Sequence, residues 1–568
     1  MKYLLVLVYF LLFVNISYSQ HGKKIDYTSD RTRVDEANFP GAFILSKVNN
    51  QVYFLHDGIE VWCDRAIFYQ TDDFFRAFGN VRMKQGDTVN MTSKYAEYNG
   101  NTQFAFASED VVLTTPSNRL TTDSLFFNRL KQEAFYRSGG VVKDSASTIT
   151  SVVGRYFMNQ EKFSFRKEVK VRNPEYDIDS DYLDFYSEKG HAYLYGPSTI
   201  TSETSTVYCE RGFYDTRKDN GFFVKNSKID YENRLLEGDS IYFDRPTGFA
   251  SATNNIKVTD TVNQSVIKGH YAEVFRMKDS LFITKNPLAA IKQEQDSVFI
   301  ASDTLMVTGK TGNRDIRAFY DARLYKSDLS GKADSIHSSE ATGLTKLIRD
   351  PILWSGGSQI TGDTIHLISN TETEQLDSLK VFYNAFMIQK DSIDGYNQIK
   401  GKELFGLFKN NEIYEVNIIR NTESLFFLRD DTSDLLGINK SISAKIKILF
   451  EKQEISDVYY YNEVDSQTHP SSMFPENARK LKDFSWRGDE RLTTKADLFK
   501  GRDSLVLPKI RGLEDPEIYD DFFEGIRELN SNSNLEKADL KPSNTGKVPE
   551  DKKLPLRKIK AIKIDDEK

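Results

Sequence analysis

The sequence predicts an elongated all-β protein built from one repeated unit. A short strand pattern returns about every 30 residues, which is typical of a repetitive fold. The composition favours strands as well, since 39 Phe and 29 Tyr supply most of an aromatic share of 12% in 568 residues, and both residue types are enriched in β-sheets. A unit with strands of about 5–6 residues cannot bury its apolar face alone, so neighbouring units must stack.

An aromatic position marks each unit. Successive members are 29 or 30 residues apart over Phe68, Tyr98, Phe127, Tyr156, Phe185, Tyr214 and Phe243, and the series continues less regularly at Val274 and Val307. Four residues before most of them stands an acid (Asp64, Asp123, Asp181, Glu210, Asp239 and Asp303), although Lys94 and Val152 break this rule. We expect the acids at strand starts, where they bind turn N–H groups or stay solvated at a rim.

A second landmark keeps the same period. It is a small or polar residue followed by Val or Ile, as in "AFGNVRM" (77–83), "ASEDVVL" (107–113) and "TNNIKV" (253–258). Apolar residues alternate with polar ones around both landmarks, which indicates strands rather than helices.

The N-terminus has the pattern of a secretory signal peptide over residues 1–19. Lys2 provides the positive charge, Leu4 to Val14 the apolar stretch, and Ser17 to Ser19 a small-residue cleavage site before Gln20. We therefore expect an exported protein.

Composition and motifs argue against several function classes. A formal charge of −7, from 76 Lys and Arg against 83 Asp and Glu, does not favour nucleic acid as a partner. The 7 His are scattered without metal-ligand spacing, and no phosphate-binding or nucleophile motif occurs. We expect no metal, no cofactor and no enzymatic activity.

The two cysteines, Cys63 and Cys209, occupy the same place in units five repeats apart. Even one strand spacing per repeat separates them by roughly 24 Å, whereas a disulfide needs Cα atoms within about 7 Å. We predict free thiols. Each stands one residue before an acid that is in phase with the core, so simple alternation places it on the opposite face.

Two stretches carry a family resemblance. "FRAFGNVRMKQGDTVNMTSKYAEYN" (75–99) and "LEGDSIYFDRPTGFASATNNIKV" (236–258) resemble the LptA/OstA-like family of lipopolysaccharide transport. The resemblance implies a twisted, incompletely closed β-jelly roll with a V-shaped cross-section. It extends over residues 35–310, with a continuation of weaker repeats and a cap over 311–465. Residues 466–568 are predicted to be a polar, partly disordered C-terminal region.

The same resemblance implies a periplasmic carrier that holds the acyl chains of lipopolysaccharide in an apolar groove and passes them toward the outer membrane. Each buried CH₂ is worth about 0.8 kcal/mol, so a continuous trough of equivalent side chains can hold such a chain. The predicted lining consists of Phe68, Val81, Met83, Tyr98, Val111, Leu113, Phe127, Tyr156, Phe185, Tyr214 and Phe243. Implied partners are an inner-membrane bitopic subunit and an outer-membrane translocon, joined through edge strands, and further copies of this chain.

Two other functions remain open from the residues alone. A secreted structural or adhesive β-solenoid would have a closed core and would bind polysaccharide or protein through its outer face. A polysaccharide-degrading β-helix would need carboxylates clustered on consecutive rungs, whereas the acids here occur once per unit. An open groove between the two sheet halves would favour the carrier.

Overall fold

A computed structural model describes residues 24–515, except 145, 263, 293–296, 311, 392, 411, 431, 511 and 514. The predicted signal peptide lies outside the described residues, as does the C-terminal region from 516 onward. The contacts divide the chain into a unit Met1–Ile518 and a unit Tyr519–Lys568, and only the first contains described residues. No helix among them is long and apolar enough to span a bilayer.

The described residues form one antiparallel sheet of 38 strands, which confirms the predicted all-β fold. The strands are β1 (Asp26–Thr28), β2 (Arg31–Val34), β3 (Phe43–Ser46), β4 (Val52–His56), β5 (Ile59–Cys63), β6 (Arg65–Tyr69), β7 (Phe74–Gln85), β8 (Val89–Asn99), β9 (Phe104–Thr114), β10 (Arg119–Asn128), β11 (Glu133–Tyr136), β12 (Gly140–Lys143), β13 (Thr148–Ser151), β14 (Val153–Phe157), β15 (Lys162–Arg172), β16 (Tyr176–Tyr186), β17 (His191–Ser202), β18 (Ser205–Asp215), β19 (Asn220–Tyr231), β20 (Arg234–Asp244), β21 (Phe249–Asp260), β22 (Ser265–Phe275), β23 (Ser280–Thr284), β24 (Leu288–Lys292), β25 (Ser297–Ala301), β26 (Thr304–Thr308), β27 (Asp315–Tyr325), β28 (Leu329–Ser339), β29 (Leu344–Ile348), β30 (Ile352–Ser355), β31 (Ser358–Thr361), β32 (Thr364–Ser369), β33 (Leu376–Lys390), β34 (Tyr396–Lys409), β35 (Glu412–Arg429), β36 (Leu435–Glu451), β37 (Glu454–Tyr461) and β38 (Asp465–His469). Short 3₁₀ helices span Met158–Gln160, Arg276–Lys278, Ser471–Met473, Glu476–Ala478, Gly488–Glu490 and Lys495–Phe499.

Long strands pair in chain order and bend in the middle. β7 pairs with β8, and the register shifts between Phe78 and Val81. The two residues at such a shift have left-handed backbone angles, a conformation that Gly and Asn adopt most readily. This two-residue corner recurs at Gly79/Asn80, Glu109/Asp110, Lys167/Glu168, Lys225/Asn226, Asn254/Asn255, Tyr320/Asp321, Tyr383/Asn384 and Arg420/Asn421. The recurring small or polar residue followed by Val or Ile, which the sequence analysis identified, is therefore the corner of each long strand.

The corners align into a crease that divides the sheet into two facing arms. The first arm contains the strand halves that carry Val61 and Val81, and the second arm contains those that carry Phe68 and Phe75. Phe54 of the first arm stacks on Phe75 of the second with ring centroids 4.0 Å apart. The side chains that face each other across the arms belong to one apolar cluster that extends from Ile25 to Phe450.

The acids lie at the crease, opposite the corner. Asp64 and Asp303 immediately precede β6 and β26, as expected, whereas Asp123, Asp181, Glu210 and Asp239 fall inside long strands and not at strand starts. Their carboxylates accept hydrogen bonds from the side-chain amide of the second corner residue, at 2.6 Å for Asn80 to Asp64, 2.7 Å for Asn226 to Glu210, 2.8 Å for Asn255 to Asp239 and 2.9 Å for Asn384 to Asp363. Lys94, the exception to the acid rule, pairs with the corner acid Asp110 at 2.5 Å. In this unit the base stands at the acid's usual position and the acid stands in the corner, so a polar contact across the crease is still formed.

The alternation slips by one residue at the crease, and this slip corrects the placement of the cysteines. Both thiols are free, as predicted, but Cys63 and Cys209 are 0% and 1% exposed and belong to the core between the arms. The prediction that the cysteines lie on the opposite face was wrong because the strand has a bulge at the acid. The bulge turns the residue before the acid (Cys63) and the second residue after it (Ala66) to the same side.

The cysteines belong to a row of small side chains along the crease. The other members are Ser93, Thr122, Ser151, Ser180, Gly238, Gly269, Ser302, Ala333, Gly362, Gly401 and Ser443. At Gly269 a side chain does not fit, since a Cβ there would lie 2.6 Å from Ile283. The serine hydroxyls donate across the bend, as Ser302 does to the Thr304 carbonyl at 2.7 Å. Cys63 and Cys209 therefore act as small core residues.

Residues 470–510, here the C-terminal strap, run back over the outer face of the sheet. The strap meets Gln398 first, then Gln359, Arg323 and finally Asn254, which is the reverse of the chain order. It buries Phe474, Leu481, Leu492 and Leu498 against the sheet. The polar composition of this region concealed a well-spaced set of apolar anchors.

Candidate functional site

The seam between the two arms is the candidate site, because it is lined by apolar side chains from every repeat. Its N-terminal part is tightly packed. Around Met83, Met91 and Phe127 the free space is only about 10 Å³. Aromatic contacts such as Phe54 with Phe75 and Tyr156 with Phe163, at 4.0 and 4.2 Å, fill the rest.

The structure brings the predicted lining residues together in this seam. Phe68, Val81, Met83, Tyr98, Val111, Leu113, Phe127, Tyr156 and Tyr214 are buried, whereas Phe185 and Phe243 are partly buried against the same cluster. The side chains therefore point between the arms. Whether they touch a bound hydrocarbon stays a prediction.

The mouth of the seam, where the hairpin ends of the two arms face each other, is bridged by side-chain contacts. Near the N-terminus, Arg129 of the second arm lies 3.0 Å from Asp57 of the first. Farther along, Tyr176 meets the ring of Tyr214 at 5.6 Å.

Two further bridges lie in the C-terminal half of the seam. Arg314 donates to the Asp260 carboxylate, and both side chains are almost fully buried. Gln389 donates to the Gln453 carbonyl at 3.2 Å.

Between these last two bridges the seam widens into a cavity of about 240 Å³. Its first-arm wall comes from β22, β24, β25 and β27, and its second-arm wall from β26 to β29, β32 and β33. Ten Val, Ile and Leu side chains line the interior: Ile267, Ile291, Val298, Ile300, Val307, Ile316, Leu324, Leu329, Leu367 and Leu376. The cavity exceeds the ~150 Å³ apolar cavities that accept benzene.

The cavity exists because the positions that carry aromatic rings in the N-terminal repeats carry smaller side chains here. The positions equivalent to Phe68 are Val307, Ser338 and Leu367 in the units of Asp303, Asp334 and Asp363, and all three side chains line the cavity. A smaller side chain at a position that a ring fills elsewhere leaves space between rigid arms. Sequence reasoning noted that the series weakens at Val307 but placed the groove at the rings. The loss of aromatic residues from the repeat was itself the sequence feature that indicated a cavity.

The rim of the cavity is polar and carries both charges. Arg314 and Lys326 stand beside Asp328, Glu340 and Glu374. The Glu340 carboxylate accepts from the backbone N–H groups of Gly312 and Arg314 at 3.0 and 3.1 Å, which orders the second-arm rim. Hydroxyl and amide groups complete it at Ser265, Ser338, Ser339, Thr345, Ser369, Asn370 and Thr371.

The strap supports the cavity wall from outside. Leu492 and Leu498 pack on Leu288 and Ala301, whose strand neighbours face the cavity. The buried Arg323 guanidinium donates to the strap carbonyls of Asp497, Leu498 and Lys500. The wall between strap and cavity is thus one β-layer thick.

The strap is also anchored by a buried arginine of its own. The Arg502 guanidinium donates to the backbone carbonyls of Ser302 and Asp321 at 2.7 and 2.8 Å. Its pKa is lowered, chiefly by burial.

Among the described residues, neither a candidate metal cluster nor an activated thiol is present. No group of three or more His, Cys, Asp or Glu in this part of the chain is placed to hold a metal ion. Burial raises the pKa of the Cys63 and Cys209 thiols to about 12, so neither is a nucleophile at neutral pH.

The comparison with models of protein families agrees with the sequence resemblance. Residues 26–181 match the family model described as OstA-like protein. A solved structure, the crystal structure of LptH, the LptA homologous periplasmic component of the conserved lipopolysaccharide transport device from Pseudomonas aeruginosa, is 16% identical. It matches with a TM-score of 0.20 over 25% of this chain and 99% of that chain. No curated protein matches the sequence.

Proposed function

Residues 26–181 match the family model described as OstA-like protein, and from that premise we propose that the protein is a periplasmic carrier of lipopolysaccharide. It holds the acyl chains between its two arms and passes them toward the outer membrane. The reaction is transfer of a bound lipid, without covalent chemistry.

The observation that carries this proposal is the apolar seam, which extends along the repeats and widens into a cavity at its mouth. A chain of 14 carbons exposed to water is penalised by about 10 kcal/mol. Moving it into an apolar seam removes most of that penalty without demanding particular contacts. Because membrane and seam are then nearly equivalent for the chain, the direction of transport must come from an energy-driven partner.

The two ends of the sheet are the proposed partner sites. At the N-terminal end β1 pairs with β4, and at the C-terminal end β37 pairs with β36 from Lys445 to Glu451. Edge strands of this kind accept a further strand by backbone hydrogen bonding. An inner-membrane bitopic subunit, an outer-membrane translocon, or a second copy of the chain fits this mode.

Depletion of the protein in its own cells tests the proposal. Newly made, pulse-labelled lipopolysaccharide should accumulate in inner-membrane fractions and stop reaching the outer membrane. Arrival at the normal rate after depletion would contradict the carrier and would favour the adhesive β-solenoid instead.

A further inference from the structure

The cavity formed by strands β22 to β33 lies outside the residues that match the family model. The OstA-like match ends at residue 181, whereas the lining begins at Ser265 and ends at Leu376. The bridges Arg314–Asp260 and Gln389–Gln453 lie on either side of it along the mouth. This free space of about 240 Å³ therefore lies in the C-terminal half of the seam.

The interior of this cavity suits a hydrocarbon chain. Residues from both arms contribute aliphatic side chains, with Val298 and Ile300 on the first arm and Val307 and Ile316 on the second. Aliphatic walls without aromatic stacking give contacts of similar strength along a chain, so affinity follows buried length and not one fixed position.

The rim suits a head that carries hydroxyl or amide groups. Its three acids, Asp328, Glu340 and Glu374, outnumber its two bases, and the base Arg314 is already paired with Asp260. This balance opposes a phosphate brought close to the rim, because like charges repel most where water is partly excluded. Six hydroxyl side chains offer both donors and acceptors instead.

We propose that the cavity between the Arg314–Asp260 and Gln389–Gln453 bridges is the resting site for one hydrocarbon chain of an amphiphile whose hydroxyl-bearing head stays at the rim. The inference rests on the proposed function, since it assigns to one place in the seam the chain that the carrier holds. To the proposed function it adds the position of one bound hydrocarbon chain and the chemical class of the head group.

Photocrosslinking of the purified full chain tests both parts. p-Benzoylphenylalanine replaces Ile316, which lines the cavity, or its strand neighbour Arg317, whose side chain points to the other face and serves as the matched control. Val298 is a second cavity position in case the first variant folds poorly, and Phe127 reports on the part of the seam that matches the OstA-like model.

Each variant is irradiated with dodecyl maltoside or dodecyl phosphate below micellar concentration, and adducts are counted by intact-protein mass spectrometry.

We expect adducts at Ile316 and Val298 that exceed those at Arg317 and Phe127 at least about fivefold, with maltoside favoured over phosphate. Capture at Phe127 but not at the cavity positions would overturn the resting site and leave the carrier function standing. A preference for dodecyl phosphate would overturn the head-group class. No capture at any seam position would overturn the inference, and arrest of lipopolysaccharide transport on depletion would then show that the carrier function survives without it.

Discussion

Residues 59–136 and residues 265–376 share the same crease and the same kind of corner, yet they fill the seam differently. In the first region Phe75 stacks on Phe54 across the arms, and the seam around Met83, Met91 and Phe127 leaves about 10 Å³. In the second region Val307 and Leu367 stand at ring positions and leave about 240 Å³. The backbone thus sets the distance between the arms, and side-chain size decides whether that distance is filled or vacant.

The two regions also differ in what covers them from outside. The strap contacts the outer face of the first arm where the cavity lies, through Leu492, Leu498 and Arg502. The strap therefore covers the outer side of the cavity wall, and the differences between the two regions lead to four predictions.

The largest expected effect comes from truncating a ring in the packed region. Phe75→Ala should lower the free energy of unfolding by about 3–5 kcal/mol, because it removes a fully buried ring and leaves a void. Ile316→Ala, which enlarges an existing cavity, should cost only about 1 kcal/mol. Native-state hydrogen exchange in β7–β8 and in β27–β28 measures the two local stabilities. Equal losses would contradict the difference in packing.

Removing one anchor of the strap should have the next largest effect. Leu498 is 0% exposed, so Leu498→Ala should weaken strap docking by about 2–5 kcal/mol. Val506→Ala is the control, since Val506 is 89% exposed and should change stability by less than about 0.5 kcal/mol. The rate of limited proteolysis within residues 470–510 reports docking. A strap that stays equally protected in both variants would show that Leu498 does not anchor it.

Adding the same volume to both regions should give opposite outcomes. Ala77→Leu overfills the packed seam and should destabilise the protein by about 1–3 kcal/mol. Ala289→Leu directs the larger side chain into the cavity and should change stability little while lowering the capture of dodecyl maltoside at Ile316. Thermal denaturation and the crosslinking yield measure these effects. A greater stability loss for Ala289→Leu than for Ala77→Leu would show that the cavity region has no room.

The smallest expected effect is a pH dependence of the strap. The hydrogen bond from Arg487, supported by Lys332, lowers the pKa of Glu490 to about 2 from its usual 4.5. A lowered pKa stabilises docking above the unfolded value, so this contribution is complete above pH ~4.5 and is lost as the pH falls toward 2. Pepsin cleavage of the strap should rise over that range, and the Glu490→Gln variant should lack this dependence. Identical pH profiles for the two proteins would rule out a role for Glu490.

Much of this architecture could be predicted from the sequence. The aromatic period predicted the repeated strands, and the match to residues 26–181 confirms the resemblance that "AFGNVRM" carried. The side of Cys63 was predicted wrongly because alternation alone cannot reveal a bulge, which shifts every later residue by one. The strap escaped notice because Leu481, Leu492 and Leu498 are spaced by polar residues and find their partners only through tertiary contact.

The cavity could not be located from the sequence for a related reason. Rings at Phe68 and Tyr98 indicate an apolar interior, but a large side chain in a narrow seam occupies the space that a guest would need. Only the distance between the arms shows that Val307 leaves a vacancy where Phe68 does not.

The most direct test of the central claim is a structure of the protein with a bound alkyl glycoside. The account predicts a hydrocarbon chain between the two arms, bounded by Arg314–Asp260 on one side and Gln389–Gln453 on the other, with the sugar at the rim near Thr345. A chain bound on the outer face of the sheet, or a seam that stays empty at saturating ligand, would contradict it.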